Sequence, residues 1–442
     1  MKEDNFFWKY KYEPGKKLKN KNEDNVVTKP LVSIITSYYN SNEFMGQTIN
    51  CVLNQTFQSW EWIIVDDGST EKDAIDYLNE VKKIDYRIKI YHKENEGLAL
   101  GRDYAIKYST ANYILPLDAD DLIEETYIET LYWTLETNKD ASWAFTDSVG
   151  FGKYRYLSNE DFDSEKMKVD NQITATALLR KEEVLKLGGY RKAKRYVNED
   201  WHLWLRMLAD NQFPVQVGYY GFWYRRREES LLTDINDEKK KEYELKRREL
   251  KLEADKIKNR IQAIRYPKRE IKNILQEKKL KGLENIRVFT DQKENILYIL
   301  PYLGTDKKMY RKIKKDAKEK NIYIITMEKS KYSQYMYRQK YEEFSTVYDL
   351  TTFLDSEYWI EFIIYLITTR KIKNVFLSNT IYNTQLEEKF DVVKIQNCQN
   401  SYIVYNFNIL KYKIINSFII RAFRKIGRYF FKTIKGVKER SN

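Results

Sequence analysis

Two groups of carboxylates stand where an apolar run stops, and a third opens a helical run. Residues 114–122 read ILPLDADDL, so a β-prone stretch ends in Asp118, Asp120 and Asp121, with Ala119 between the first two. Residues 62–65 (WIIV) end in Asp66 and Asp67, followed by Gly68-Ser69-Thr70. Glu199-Asp200 opens a helical stretch in NEDWHLWLR at 198–206. Buried strands favour Ile and Leu, and a strand that runs into acids delivers them to the edge of its sheet. Hard oxygen ligands gathered there suit Mg²⁺ or Mn²⁺, ions that hold substrate phosphates while keeping some water. A DxD triplet by itself also occurs in solvated turns, so its neighbours must decide. Two histidines, His92 and His202, are too few for a multi-histidine metal site.

The elements that must position these acids follow in order. Residues 31–36 (LVSIIT) predict a strand, 38–42 a loop, and 43–55 a helix burying Phe44, Ile49, Val52 and Leu53. After the WIIV strand come a helix over 72–83, a short strand over 88–91, and Asn95-Glu96-Gly97 leading into a helix with Arg102 and Asp103. Strands alternating with helices imply an α/β fold with a mainly parallel sheet and a ligand at the strands' carboxyl ends. Residues 173–179 (ITATALL) predict a further strand. Gly188-Gly189-Tyr190 predicts a helix C-cap and turn. A strand around 219–223 leads into Tyr224-Arg225-Arg226-Arg227.

Taken together, VSIITSYYN (32–40), IIVDDGST (63–70), NEGLALGRDYA (95–105), LPLDADD (115–121), LGGYR (187–191) and NEDWHLWLR resemble a family 2 glycosyltransferase. The resemblance covers roughly half the chain, and several ordered motifs make chance a poor explanation. It implies a GT-A nucleotide-diphospho-sugar transferase fold, inverting chemistry, a nucleotide-sugar donor and Mn²⁺ or Mg²⁺. It implies that Asp67 reads the base, Thr36 and Tyr38 wrap base and ribose, and Arg102 faces the nucleotide. Asp118 would contact ribose or metal, and Asp120 the metal bridging the diphosphate. Asp200 would be the base that takes the acceptor hydroxyl's proton, with Glu199 binding or orienting the acceptor. Tyr190 and Trp201 would stack on the acceptor sugar. On its chemistry, Arg225 or one of its neighbours could pair with the diphosphate, since guanidinium binds phosphate bidentately.

Plainer roles compete with these. Asp67, Ser69, Thr70 or Asp121 could cap a following helix. Arg102 could be a solvated helix residue, the two acids at 199–200 could simply favour a helix N-terminus, and the aromatic residues could be core. The QxxRW motif of processive synthases is absent, which favours single additions.

Beyond residue 233 the composition shifts. Residues 234–290 read as a charged helical linker, broken at Pro267 and packed lightly. Residues 291–400 predict a second, smaller Rossmann-like α/β domain, opening with a strand–helix–strand unit at Asn295. This part is similar to the N-terminal half of a GT-B glycosyltransferase, with its glycine pair reduced to Gly304, and no catalytic residue is placed there. Residues 401–442 predict a basic amphipathic C-terminal helix. Ile415, Ile419, Ala422, Ile426, Phe430, Ile434 and Val437 lie on one side; Arg421, Arg424, Arg428, Lys432, Lys435 and Lys438 lie mostly on the other. Such a helix suits an anionic leaflet, each basic residue contributing about 1 kcal/mol.

A chain of 442 residues with 42% hydrophobic and 15% aromatic residues can build large cores, so it is not a disordered polymer. Cys51 and Cys398 do not make a disulfide framework and fit a reducing compartment. The net charge of +13 admits polyanions, but acids are interleaved and no nucleic-acid module appears. The expectation is a cytoplasmic enzyme, peripheral at the inner face of the membrane, transferring sugar to a glycan or lipid-linked saccharide. Residues 1–28 read as a polar tail, residues 29–233 as the transferase domain, and self-association into a homo-oligomer is compatible with both. A spent transferase acting as a sugar-binding scaffold is the competing expectation.

Overall fold

Ten strands form the first sheet: β1 (Val32–Tyr38), β2 (Trp60–Asp67), β3 (Ile88–Lys93), β4 (Tyr113–Pro116), β5 (Leu122–Ile123), β6 (Trp143–Gly152), β7 (Tyr156–Ser158), β8 (Leu178–Arg180), β9 (Pro214–Arg226) and β10 (Ile264–Arg265). They belong to a computed structural model that describes residues 13–16, 18–19, 29–190, 198–227, 237–257, 264–265, 286–288, 293–304, 307–328, 334–378, 386 and 403–406. The order is β10-β9-β6-β8-β4-β1-β2-β3, with β5 on β9 and β7 on β6. Strands β1 to β4 are mutually parallel where they pair, whereas β8 runs antiparallel to both β4 and β6. The chain moves outward from β1 to β3, then returns to place β4 on the other side of β1. That reversal opens a crevice at the carboxyl ends of β1, β2 and β4, where an open α/β sheet receives its ligand.

The parallel strands are buried on both faces, which is why they read as continuous apolar runs. One core lies on one side, around Ile34, Trp62, Leu115, Val149 and Trp223. The other holds Ile35, Ile63, Trp143, Phe145, Trp201 and Trp204 beneath the helices Leu98–Tyr108 and Glu199–Ala209.

A second sheet, β11 (Asn295–Leu300), β12 (Asn321–Thr326), β13 (Thr346–Asp349), β14 (Asn374–Leu377) and β15 (Ile403–Asn406), is wholly parallel in the order β13-β12-β11-β14-β15. It meets the first through the helix Tyr127–Thr137. The carboxylate of Glu129, fully buried, pairs with Arg370 at 2.6 Å and accepts from Thr56 at 2.7 Å and from the hydroxyls of Tyr348 and Tyr365. Around it Trp133 packs on Phe362 and Tyr365.

Three sequence expectations change. The charged helix spans Asp237–Lys256, and Leu250, Ala254 and Ile257 are buried in the second core of the first sheet. Ile264 and Arg265 are then an edge strand beside β9 rather than more helix, because β-branched Ile264 next to a free sheet edge gains ladder hydrogen bonds. Residues 13–16 and 18–19 are not simply tail. Gln47 and Asn50 donate side-chain hydrogen bonds to the carbonyls of Pro14 and Gly15, and Gly15, at φ +74°, lies too close to Gln47 and Cys51 for any side chain. At the other end, β15 occupies residues expected to begin the amphipathic helix; residues 407–442 lie outside the described residues. Among the described residues, no helix is long and apolar enough to cross a membrane.

Candidate functional site

The helix Leu98–Tyr108 ties the motifs together. Its entry is fixed by Asp67, whose oxygens accept from the backbone N–H of Glu96 (3.1 Å) and Gly97 (2.7 Å) and from Lys93 Nζ (2.7 Å). Gly101 is needed because a Cβ there would lie 2.1 Å from the Ser37 hydroxyl. Arg102 follows, 1% exposed, with one guanidinium nitrogen 2.7 Å from Asp118 Oδ1 and another 2.5 Å from Glu199 Oε1. A planar fork holds two carboxylates in fixed directions, so the strand-end acids and the Glu199–Ala209 helix become one unit. Asp103 accepts from the Tyr190 backbone N–H at 2.8 Å, and Arg206 donates to the carbonyls of Leu187 and Gly189. The Gly188-Gly189 turn, with φ near +77° at both, is thus pinned from two helices.

The 118–121 loop is held by cations and a hydroxyl. Thr48 donates to the carbonyls of Ala119 and Asp121. Arg227 pairs with Asp120 at 2.6 Å, and Arg225 Nε donates to the Asp120 carbonyl at 2.7 Å. The Arg225 guanidinium also lies between Phe44 (4.3 Å) and Phe151 (4.5 Å) and reaches Gln47. Asp121 is a bracket for β9 and not a helix cap, accepting from the Arg225 N–H at 2.8 Å. Burial raises the Asp120 carboxyl above its ordinary range, and Asp118 adds to this against the pull of Arg227. Burial, then Asp120 and Asp118, push Asp121 higher still.

Asp200 sits in the first turn of its helix, after Asn198 in the left-handed conformation. Its oxygens accept from the Trp201 N–H (2.7 Å) and from the Asn171 amide (3.0 Å). Burial first, and the charge of Glu199 second, push its carboxyl up to about 7, against the opposing influence of Arg102. A carboxyl held near neutrality is matched to taking up and releasing a proton.

Four expected contact residues point elsewhere. Thr36 is buried, donating to the Leu117 carbonyl and accepting from the Trp62 indole, so it joins β1 to its neighbours. Tyr38 is buried and donates to the Ala74 carbonyl. Tyr190 is fully buried beside Arg102, and Trp201 is buried with its indole donating to the Met167 carbonyl. None of these rings is open for stacking; all are large apolar surfaces absorbed by the cores. Arg102 is likewise a bridge between acids. Neither Ser69 nor Thr70 caps the following helix; Asp66 holds the Ser69 N–H and Asn40 the Thr70 N–H.

The family model described as "Glycosyl transferase family 2" matches residues 33–200. A glycosyltransferase of Haemophilus influenzae is 30% identical over 186 residues, which span 41% of this chain and 73% of that protein. The chain is a family 2 glycosyltransferase. Glycosyltransferase GlyG of Streptococcus pneumoniae is 26% identical over 223 residues, 46% of this transferase and 73% of GlyG. The putative teichuronic acid biosynthesis glycosyltransferase TuaG of Bacillus subtilis is 40% identical over 119 residues, which is 27% of this transferase and less than half (46%) of TuaG. Among solved structures, Staphylococcus aureus TarS 1–349 in complex with UDP-GlcNAc superposes with a TM-score of 0.43 at 16% identity, covering 50% of this chain and 66% of that one.

Within the transferase, Asp118 and Asp120 offer hard oxygen donors of the kind Mg²⁺ or Mn²⁺ prefers. No three His, Cys, Asp or Glu among the described residues form a ligand set. An ion here would therefore complete its shell with diphosphate oxygens and water. Sequence reasoning gave no role to Asn171, Asp103 or Arg206, and reached Arg227 only as a neighbour of Arg225. A basic Tyr-Arg-Arg-Arg run at a strand's end was the available signal for Arg227; Asn171 carried none.

Proposed function

We propose that this transferase moves a sugar, with inversion, from a nucleotide-diphosphate donor, a UDP-sugar, to a hydroxyl of a bacterial cell-surface glycan or its lipid-linked precursor. The observation that carries the reading is the Arg102 bridge, which sets the strand-end acids and the Glu199-Asp200 helix around one crevice. Asp118 and Asp120 border the diphosphate, with Arg225 and Arg227 backing their loop. Asp67 fixes the loop over the nucleotide end. Asp200 accepts the acceptor hydroxyl's proton while that oxygen bonds the anomeric carbon and the bond to the diphosphate breaks. Glu199, oriented by Arg102, positions Asp200 and the acceptor. A divalent cation, Mn²⁺ or Mg²⁺, held by Asp118 and Asp120 would supply positive charge to the leaving diphosphate.

The likeness to TuaG, named for teichuronic acid biosynthesis, supports a cell-surface glycan as acceptor, and the basic C-terminal segment supports action at the cytoplasmic face of the membrane. The test is nucleoside diphosphate release from UDP-, GDP- and dTDP-sugars with Mn²⁺ or Mg²⁺ and membrane extract as acceptor source. One donor should turn over in the wild type and not in Asp120→Ala. Silence with every donor, together with no nucleotide binding, would leave the scaffold reading.

A further inference from the structure

With Tyr190 and Trp201 buried, the acceptor must be recognised by other groups, and β6, β7 and β9 supply them. Gly150 pairs with Tyr156 on one side and Tyr224 on the other, so the two tyrosines flank a residue without a side chain at one register level. The Tyr156 ring folds over Gly150, where a Cβ would lie only 2.1 Å from it, and Tyr156 remains 38% exposed. Two residues along β9, the Arg226 guanidinium lies 5.3 Å from the centre of the Tyr224 ring. Beyond the turn, Lys153 Nζ sits 5.5 Å from the ring of Tyr154, itself 55% exposed.

The setting of these groups follows from the strands around them. Val149, Phe151 and Trp223 turn into the first core, with Leu157 packed against it. Leu157 faces that core, so its neighbour Tyr156 turns to the other side, whereas Tyr224, partly buried, packs against the same core beside Phe222. Tyr224 is close enough to Asp118 and Asp121 to feel their charge. An aromatic ledge with a cationic rim thus borders the donor acids, since the N–H of Arg225, between Tyr224 and Arg226, donates to Asp121.

We propose that Tyr156, Tyr224 and Arg226, with Lys153 at the outer edge, form the acceptor subsite and take a sugar ring carrying negative charge. Tyrosine rings present apolar area to the C–H face of a pyranose and a hydroxyl to its polar rim. A guanidinium pairs bidentately with a carboxylate or phosphate, which a neutral sugar cannot match. This rests on the transferase reading above, and the two can fail separately.

The probes are p-nitrophenyl β-glucuronide and the neutral p-nitrophenyl β-glucoside, titrated by saturation-transfer NMR into the full chain with and without UDP. The glucuronide should bind about tenfold more tightly than the glucoside, a gap of one charge-assisted contact. Tyr156→Ala and Tyr224→Ala should weaken both by about tenfold, the loss of one stacked ring. Arg226→Gln should abolish the preference while glucoside binding persists. Tyr302→Ala, an exposed tyrosine just after β11, should change nothing. Melting curves of each variant separate lost binding from lost folding, and Tyr156→Phe, which keeps the ring, should retain binding if Tyr156→Ala is unstable. Equal affinity for both glycosides, no binding of either while UDP binds, or a preference surviving Arg226→Gln would each overturn the subsite. Failure of UDP itself to bind would instead overturn the donor reading.

Discussion

Replacing Arg102 with glutamine tests whether the two acid motifs work as one. The guanidinium is 1% exposed and bridges Asp118 and Glu199 at 2.7 and 2.5 Å. Breaking such a pair strands carboxylates with no cation at a cost of about 3–5 kcal/mol when buried. Asp118 is 31% exposed on its side chain, so water recovers part of its share and the expected loss of stability is nearer about 3 kcal/mol. Transfer should fall by at least about two orders of magnitude, since displaced catalytic groups lose effective molarity steeply.

A structural role alone would stop there. The bridge makes a further claim, because the charge of Arg102 opposes the forces that raise Asp200. Asp200 must be ionised to accept a proton, so wild-type transfer should rise with pH through about 7. Without Arg102 the Asp200 carboxyl climbs further, and the acid limb should move to higher pH. Arg102→Lys, keeping charge but losing the fork, should restore part of the rate and most of the limb's position. The assay is the pH–rate profile of nucleoside diphosphate release with a fixed donor. A folded glutamine variant with an unmoved acid limb would refute the coupling.

Other outcomes follow from the same contacts. Glu129→Gln should destabilise the whole chain by about 3–5 kcal/mol in denaturant melts at neutral pH, because Arg370 is left buried without its counter-charge. Burial pushes Glu129 up, but Arg370, Tyr348 and Tyr365 outweigh it and hold its folded carboxyl below the usual range. Its contribution is therefore present above the ordinary carboxylate pKa and lost as pH falls through the lower folded value, so wild type and variant should converge in acid. Gly189→Ala sets a Cβ 2.3 Å from Asp103 Oδ1 at a backbone φ of +76°, and should lower the melting temperature and the transfer rate together. Arg227→Gln should weaken nucleotide-dependent metal binding if Arg227 aligns Asp120, and strengthen it if Arg227 only competes with the ion; the first outcome is expected, read by Mn²⁺ titration with UDP.

Much of the frame was legible because buried parallel strands announce themselves. WIIV and ILPL are apolar on both faces, and each hands its chain to acids at the sheet's carboxyl edge. Asp67, Asp118 and Asp120 were read that way, whereas Glu199 and Asp200 came from the helical stretch NEDWHLWLR and its resemblance. Periodicity could not say which aromatic residues stay open. Tyr190 and Trp201 follow turns and caps where stacking on a ligand and filling a core leave the same trace, and only the packing of two helices on one sheet face decides for the core. Thr36 and Tyr38 failed for a related reason, since their hydroxyls are taken by backbone carbonyls from strands and helices distant in sequence. The Tyr156–Gly150–Tyr224 ledge was invisible because it exists only through cross-strand register. Edge strand Ile264–Arg265 was hidden by its charged surroundings, and the Glu129 cluster by the 241 residues separating its acid from Arg370.

The central claim is that Asp200 takes the acceptor's proton while the strand-end acids hold the donor. Asp200→Asn preserves the shape and the Trp201 cap but removes the base. Turnover of the preferred donor and UDP affinity by calorimetry should be measured on the same preparation. A fall of about 10²–10⁴ in turnover with UDP affinity retained is the predicted result. Full turnover in Asp200→Asn would contradict the account.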